Sequence, residues 1–292
     1  MRLCYRPNHA ARALVMGKTN LIGLCVGDFN TYSTNVITHV EEYLSQRGFQ
    51  MIVQRIGNLE HGAKIIEWPL DGLLTLDFPG HNKVISEVMQ NQIPIVSIGS
   101  YSSGLVDHVT LDLYTGAMQA LKRLIEQNYT RIIYVTSEWG NRVGEARHDA
   151  YFQLLEAEGM EPELLLADDP TREAAYDLFH HKGIVARLQD ELKTSAQKTG
   201  IYCFNDEIAL GVYRALTEAR LKIPTDVALV GCDDIRDIQY LECPLSTISY
   251  SIFDLCASGV DLLEKRIKNP GIGLQRGIVA SRFIERKSSA EG

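Results

Sequence analysis

The sequence predicts an α/β fold built from parallel sheets that helices cover on both faces. Short apolar runs alternate along the chain with longer amphipathic segments. Continuous apolar strands are typical of parallel sheets whose two faces are both buried, and amphipathic helices supply the cover. The chain has 292 residues, a length that favours two such sheets over one.

The individual elements follow from the spacing of the apolar residues. Uninterrupted runs rich in leucine, isoleucine and valine predict strands. In chain order these are 21–26, 51–53, 72–76, 93–98, 131–136, 164–167, 200–204 and 227–231. Apolar residues at intervals of three and four predict helices. These are 33–47, 81–91, 114–127, 144–158, 172–190, 207–219 and 252–268.

The composition indicates a globular protein. Hydrophobic residues make up 45% and charged residues 23% of the chain, which are ordinary values. No apolar run approaches the roughly 20 residues that a transmembrane helix needs, and no signal-peptide core follows Met1. Six scattered cysteines show neither a Cys-x-x-Cys pair nor zinc-ligand spacing. We therefore expect reduced thiols, no metal, no cofactor and a cytoplasmic location.

The net charge limits how this chain would bind nucleic acid. The formal charge is −8 and the pI about 5.5, which is the wrong sign for a domain that contacts phosphates over a broad face. We expect the chain itself to add little non-specific attraction to DNA.

Four short segments carry a recognisable pattern. Residues 3–23 hold Leu-Cys-Tyr-Arg-Pro-Asn, an alanine-rich stretch, a glycine and the first strand. Residues 205–211 have the spacing Asn-Asp-x-x-Ala-x-Gly, residues 223–235 run from Ile-Pro-x-Asp-Val to Gly-x-Asp-Asp, and residues 244–248 are Pro-Leu-Ser-Thr-Ile. In this order they resemble the LacI/GalR family of transcription regulators over nearly the whole chain. One departure is Ala150, which stands where the family has a glycine.

The resemblance implies an architecture whose crossings between lobes the apolar pattern alone does not locate. It is a type I periplasmic-binding-protein-like pair of doubly wound parallel-sheet lobes joined by three crossovers, with a ligand cleft and a hinge. The implied division is 1–18 as the end of a DNA-reading headpiece and a hinge helix, 19–110 with 248–270 as the N-terminal lobe, 111–247 with 271–288 as the C-terminal lobe, and 289–292 as a disordered tail.

The hinge segment is predicted to bind DNA in the parent protein. Residues 7–15 are too short to form a stable helix alone, because helix nucleation is costly. In the family, paired hinge helices enter the minor groove of the operator and a leucine wedges between base steps. Leu14 occupies that position, and Arg12, Asn8 and His9 are candidate contacts to phosphates or groove edges. The alternative is a mobile leader without a role.

Polar and aromatic residues follow several predicted strands, where open α/β sheets bind ligands. By resemblance, Arg147, Asn205 and Asp233 align with effector-contacting positions of the family. Carboxylates, an amide and a planar guanidinium suit a hydroxyl-rich ligand, and aromatic rings cover a sugar face or stack on a base. The further candidates in the N-terminal lobe are Phe29, Tyr32, Asp28 and Asp77.

Each of these residues also has a purely structural interpretation. Asn205 is a good N-cap for the helix that follows it, and Asp233 is suited to capping a turn. Arg147 could be a surface arginine paired with Glu145 or Asp149. The two aromatic candidates of the N-terminal lobe could pack in a core or between lobes.

The pattern therefore favours a ligand-responsive transcription regulator, represented here by its effector-binding and dimerisation part. The expected partners are a small-molecule effector (a sugar first, a purine or nucleoside second), operator DNA and a second copy of the chain, with no membrane. The alternative is a solute-binding protein of a sugar transporter. Enzyme signatures such as Gly-x-Ser-x-Gly and the phosphate-binding glycine loops are absent from the sequence, so we expect no catalytic residues.

Overall fold

A computed structural model describes residues 18–56, 64–78, 83–101, 104–194 and 197–290. Its contacts divide the chain into two compact units. The first unit runs to Leu111 and includes Ser251–Val279, while the second holds Asp112–Tyr250 and the chain from Ala280 onward. The chain therefore changes unit three times.

Strands and helices alternate along most of the described chain. The strands are β1 Leu21–Val26, β2 Gln50–Arg55, β3 Gly72–Leu76, β4 Ile95–Gly99, β5 Asp107–Asp112, β6 Arg131–Ser137, β7 Glu163–Ala167, β8 Thr199–Cys203, β9 Val227–Cys232, β10 Ser246–Tyr250 and β11 Arg276–Ile284. The helices are α1 Thr31–Gln46, α2 Lys83–Gln90, α3 Leu113–Glu126, α4 Ala146–Ala157, α5 Arg172–His180, α6 Ile184–Thr194, α7 Asp206–Glu218 and α8 Ile252–Lys268. Short 3-10 turns occupy Lys64–Glu67 and Arg236–Gln239.

The first unit is a parallel sheet with the strand order β2-β1-β3-β4-β5. Adjacent residues of β3 face opposite helical layers. A Cβ built on Gly72 would lie 2.9 Å from Leu263 of α8, whereas Leu73 belongs to the buried cluster that includes Val84 and Val88 of α2. Because successive strand residues point to opposite faces, both faces of this sheet are covered, as the apolar strands predict.

The second unit has the strand order β11-β10-β9-β8-β6-β7. The described pairings are parallel except that of β10 with β11. Gly200 of β8 faces Leu124 of α3, and Gly231 of β9 faces Asp206 and Ala209 of α7. These two glycines lie on opposite faces, so helices cover both sides of this sheet as well.

The structure differs from the predicted elements at residues 172–190. The single predicted helix is two helices, α5 and α6, separated around Gly183, whose φ is +80°. Glycine adopts this left-handed conformation without the steric cost that a side chain would impose. The periodicity continues through the break, which is why the pattern predicts one helix.

The boundaries between units also differ from those predicted. Residues 271–279 belong to the first unit, not the second, since β11 begins against β5: the amide of His108 donates to Gln275 O at 3.2 Å, and Gly277 packs on Val109. Residues 248–250 belong to the second unit, because Ile248 of β10 pairs with Cys232 of β9.

The predicted disordered tail is wrong at its start. Ser288 and Ser289 are fully buried. The amide of Ser246 donates to Ser288 Oγ at 2.8 Å, and Ser289 Oγ donates to Ser246 Oγ at 2.7 Å. A polar, serine-rich ending is typical of disorder, but here the hydroxyls bind backbone and side-chain groups at the end of β10. Residues 291 and 292 lie outside the described part of the chain.

Candidate functional site

The loop after β8 places Asn205 at the start of α7. Its side-chain oxygen accepts a hydrogen bond from the amide of Ile208 at 2.8 Å, which is the N-cap interaction that asparagine favours. Its Nδ2 donates to the carbonyl of Pro170 at 3.1 Å. The capping interpretation is therefore present in the structure, and the same amide fixes the loop that follows β7.

Arg147 reaches from the first turn of α4 to the carboxyl ends of β8 and β9. Nη1 donates to the carbonyl of Phe204 at 2.9 Å and lies 3.9 Å from the sulfur of Cys232. The guanidinium carbon sits 3.7 Å from the centroid of the Phe204 ring, within the range of a cation–π contact. Only 3% of Arg147 is exposed, so it is not the surface arginine of the structural alternative.

Glu145 is the charged partner of Arg147. Its Oε1 accepts from Arg147 Nε at 2.9 Å and lies 2.8 Å from Nη2. Its Oε2 accepts from the amides of Arg147 and His148, both at 3.0 Å, so Glu145 is also the N-cap of α4. One carboxylate thus fixes both the helix start and the guanidinium.

Asp233 follows the last residue of β9. Its Oδ1 accepts a hydrogen bond from the Tyr250 hydroxyl at 2.8 Å. The φ of Asp233 is +114° and that of Asp234 is +52°. Residues other than glycine rarely adopt positive φ, and such strained positions cluster at binding sites. Arg286 holds Asp234, with Nη2 at 2.6 Å from its Oδ1.

Asp206 lies beneath this loop and is fully buried. Its Oδ1 accepts from the Thr247 hydroxyl at 2.8 Å and its Oδ2 from the amide of Ile235 at 3.0 Å. Burial, reinforced by the Asp233 and Asp234 carboxylates, raises the pKa of Asp206 well above its usual value. Asp206 therefore holds the turn after β9 in place.

The structure thus brings Arg147, Asn205 and Asp233 to the adjoining ends of two neighbouring strands. Parallel strands end on one edge of a sheet, and β8 lies beside β9. Together these groups present hydrogen-bond donors and acceptors next to an aromatic ring, which is chemistry suited to hydroxyl groups.

In the first unit, three candidates follow β1. Phe29 is 56% exposed. Asp28 pairs with Arg55, Oδ1 to Nη1 at 2.8 Å, and this hydrogen bond lowers the pKa of Asp28. Tyr32, in the first turn of α1, is buried, as its packing interpretation expects. Of these three side chains, Phe29 and Asp28 are exposed, and Asp28 is already paired with Arg55.

Asp77 has a structural role at the end of β3. Its φ is +57°, and its Oδ1 accepts from the amide of Ser100. Gly99 beside it has a φ of +116°, and a Cβ there would lie 2.2 Å from Asp77 Oδ1. The Asp77 carboxylate therefore ties the end of β3 to the end of β4.

The remaining predictions concern the hinge residues, a metal site and a membrane span. The hinge candidates Leu14, Arg12, Asn8 and His9 lie outside the described residues. Within the described ranges, no three acidic, histidine or cysteine side chains are grouped so that they could hold a metal ion. No helix among the described residues is long and apolar enough to span a bilayer.

Sequence reasoning missed three residues of this site. Asp206 follows β8 at a predicted strand end but is not among the candidate contacts. Tyr250 ends β10, so the same strand-end rule could have found it. Glu145 was considered only as a surface partner. Its burial follows from the cap geometry of α4, for which residue spacing gives no signal.

Comparison with known proteins identifies a family and several relatives of this chain. The family model of the periplasmic binding protein-like domain matches residues 121–289. The ribose operon repressor of Haemophilus influenzae is 28% identical over 98% of this chain and 86% of its own length. The HTH-type transcriptional repressor PurR of H. influenzae strain PittEE is 27% identical with the same coverage.

A solved structure extends the likeness to three dimensions. The LacI-family transcriptional regulator from Enterococcus faecium with bound ribose has a TM-score of 0.80 and 26% identity, covering 92% of this chain and 98% of that one. These relatives are transcriptional regulators, and they confirm the resemblance and the predicted fold class. The chain belongs to the family of periplasmic binding protein-like domains and is the effector-binding domain of a LacI-family transcriptional repressor.

Proposed function

We propose that the effector of this domain is a small hydroxyl-rich molecule, a sugar first, which Arg147, Asn205 and Asp233 bind at the carboxyl edge of the second unit. The observation that carries the proposal is the meeting of these side chains over the ends of β8 and β9. A structural relative from E. faecium holds ribose, which supports a sugar.

In the first unit, Phe29 is the residue that we propose for ligand contact. An exposed aromatic ring covers the apolar face of a sugar or stacks on a base, and 56% of Phe29 is exposed. Asp28, Tyr32 and Asp77 remain predicted contacts, although each already has a structural role. A purine is the second candidate effector, because a PurR repressor is among the relatives.

The rest of the proposal concerns the parent regulator. A homodimer would place two hinge segments on a near-palindromic operator, with Leu14, Arg12, Asn8 and His9 as the DNA contacts. The protein would then act in the cytoplasm, where the DNA is. An upstream coding sequence for a helix-turn-helix tests this part, and an upstream signal peptide would contradict it.

Thermal unfolding with a ligand panel tests the effector proposal. The panel contains ribose, glucose, lactose, adenine, guanine and hypoxanthine. A ligand that binds only the folded state stabilises it by about 2.7 kcal/mol at a hundredfold excess over Kd, which raises Tm by roughly 5–10 °C for a protein of this size. No stabilisation by any member would refute the proposal.

Matched variants assign the contact residues. Arg147→Lys keeps the charge but loses the planar fork, and Asp233→Asn keeps the shape but loses the charge. Both should lose most of the ligand-induced shift. Asp168→Asn is the control, because Asp168 follows β7 on the same edge and its side chain is 79% exposed. If all three variants respond like the wild type, the assignment is wrong.

A further inference from the structure

The positive charge of Arg147 is already compensated within its own helix start. Two guanidinium nitrogens face Oε1 of Glu145, at 2.9 Å and 2.8 Å, and the third donates to the carbonyl of Phe204. The side chains of Arg147 and Glu145 are 4% and 1% exposed. Away from water, opposite charges at this distance attract strongly, and each partner is costly to leave alone.

Glu145 has little freedom to leave this arrangement. Its second oxygen accepts the amides of Arg147 and His148 at the start of α4. Charge-assisted hydrogen bonds of this kind are short and strong. A ligand that approached Arg147 would therefore meet an ion pair whose net charge is zero.

Two further carboxylates, those of Asp233 and Asp234, lie at the end of β9. Asp233 lies at the end of β9 with Tyr250 donating to it. Asp234 is matched by Arg286 at 2.6 Å.

We propose that this site selects uncharged effectors and rejects phosphorylated or carboxylated ones, and that Glu145 is the specificity-determining residue. The proposal rests on the proposed function, since it describes the ligand of the same site. An anionic group placed here would lose its hydration without gaining an unpaired cation, and it would face the Asp233 carboxylate. A neutral sugar needs only hydrogen bonds.

The test compares the wild type with Glu145→Gln at constant ionic strength. Thermal unfolding is measured with inorganic phosphate, and with ribose against ribose 5-phosphate and glucose against glucose 6-phosphate. The wild type should respond to a neutral sugar and not to inorganic phosphate or the phosphorylated partners. In Glu145→Gln the unpaired Arg147 should bind phosphate, and the Kd ratio of phosphorylated to neutral sugar should fall at least about tenfold.

Glu138→Gln is the matched control. Glu138 is exposed in the loop that follows β6, so its substitution removes the same charge without touching Arg147, and it should behave as the wild type. The double variant Glu145→Gln/Arg147→Met should lose the gained phosphate response. These controls separate a created anion site from a general salt effect.

The proposal is overturned if the wild type binds a phosphorylated sugar as tightly as its neutral partner, or if phosphate stabilises Glu145→Gln no more than Glu138→Gln. If Glu145→Gln does not fold, the wild-type comparison alone decides between selection and no selection. Failure of the proposed function gives a different result, because then no neutral ligand of the panel stabilises the wild type. The comparison of Glu145→Gln with Glu138→Gln in inorganic phosphate still tests the charge selection in that case.

Discussion

Gly231→Ala tests the packing that holds the turn carrying Asp233. A Cβ on Gly231 would lie 2.1 Å from Asp206 Oδ1 and 3.3 Å from the Cβ of Ala209. The first distance is far inside the ~3.5 Å at which atoms attract. Asp206 cannot retreat without losing its bonds from Thr247 and Ile235, at 2.8 Å and 3.0 Å.

The expected cost follows from these contacts. Overpacking a buried site costs about 1–3 kcal/mol, and each hydrogen bond lost from Asp206 adds about 1 kcal/mol. We therefore expect Gly231→Ala to lower the free energy of unfolding by about 3 kcal/mol, which lowers Tm by about 6–12 °C. Gly200→Ala is the control, because its Cβ would meet only flexible side chains, the nearest atom being 3.3 Å away on Leu124.

The chain offers a specific assay for the second unit. Its two tryptophans are Trp68 and Trp139, one in each unit. In a Trp68→Phe background, urea unfolding followed by the fluorescence of Trp139 reports on the second unit. A double-mutant cycle with Asp206→Ala isolates the clash, since Gly231→Ala should cost at least about 1 kcal/mol less once the carboxylate is gone. Equal costs in both backgrounds, or a cost no larger than that of Gly200→Ala, would refute the reasoning.

Three further predictions concern the ionic and polar contacts. Arg266→Met should destabilise the first unit by about 3–5 kcal/mol, measured by urea unfolding in a Trp139→Phe background followed by the fluorescence of Trp68, because the guanidinium binds both oxygens of buried Asp107 at 2.9 Å and 2.7 Å. Arg214→Met, at an exposed pair of the second unit, should cost under about 1 kcal/mol in the titration followed by Trp139, and equal costs would contradict the burial argument. Burial raises the pKa of folded Asp206 above the unfolded value of about 3.9, so its proton adds stability at low pH that is lost as the pH rises through the folded pKa. The unfolding free energy of the wild type minus that of Asp206→Asn should therefore fall from about pH 4 to about pH 8. A rise in this difference would contradict the direction of the pKa shift. Ser288→Val removes the hydroxyl that binds Ser246 N and Leu229 O and should cost about 2–3 kcal/mol, whereas exposed Ser45→Ala should stay within about 0.5 kcal/mol in thermal unfolding.

Much of the fold was predictable because burial imposes a pattern on the sequence. Strands buried on both faces must be apolar throughout, and the segments 21–26 and 72–76 are strands with those bounds. The helix over residues 252–268 also has the predicted bounds, since a surface helix needs an apolar stripe on one side.

The close approach of Arg147, Asn205 and Asp233 was predictable for a topological reason. Each residue follows or faces the carboxyl end of a parallel strand, and these ends share one edge of the sheet. What each side chain does there was not predictable. The pairing of Arg147 with Glu145 depends on cap geometry, in which residues two positions apart meet through one carboxylate.

Several features were not predicted because they depend on polar residues whose hydrogen-bond partners are distant in sequence. Ser289 bonds to Ser246, 43 residues away, and Asp206 to Thr247, 41 residues away. Local composition carries no information on such pairs, so a serine-rich ending is taken for disorder and an aspartate beside a cap is overlooked. The break at Gly183 was missed because apolar spacing continues across it.

The buried position of Ser288 and Ser289 also decides where the molecule can be labelled. Both side chains touch the strand that carries Ser246. A purification handle or fluorophore fused there would pull directly on the sheet that supports Asp233 and Tyr250. Engineering of this protein should therefore leave residues 288 and 289 unlabelled, because a dye attached there would report strain in that sheet.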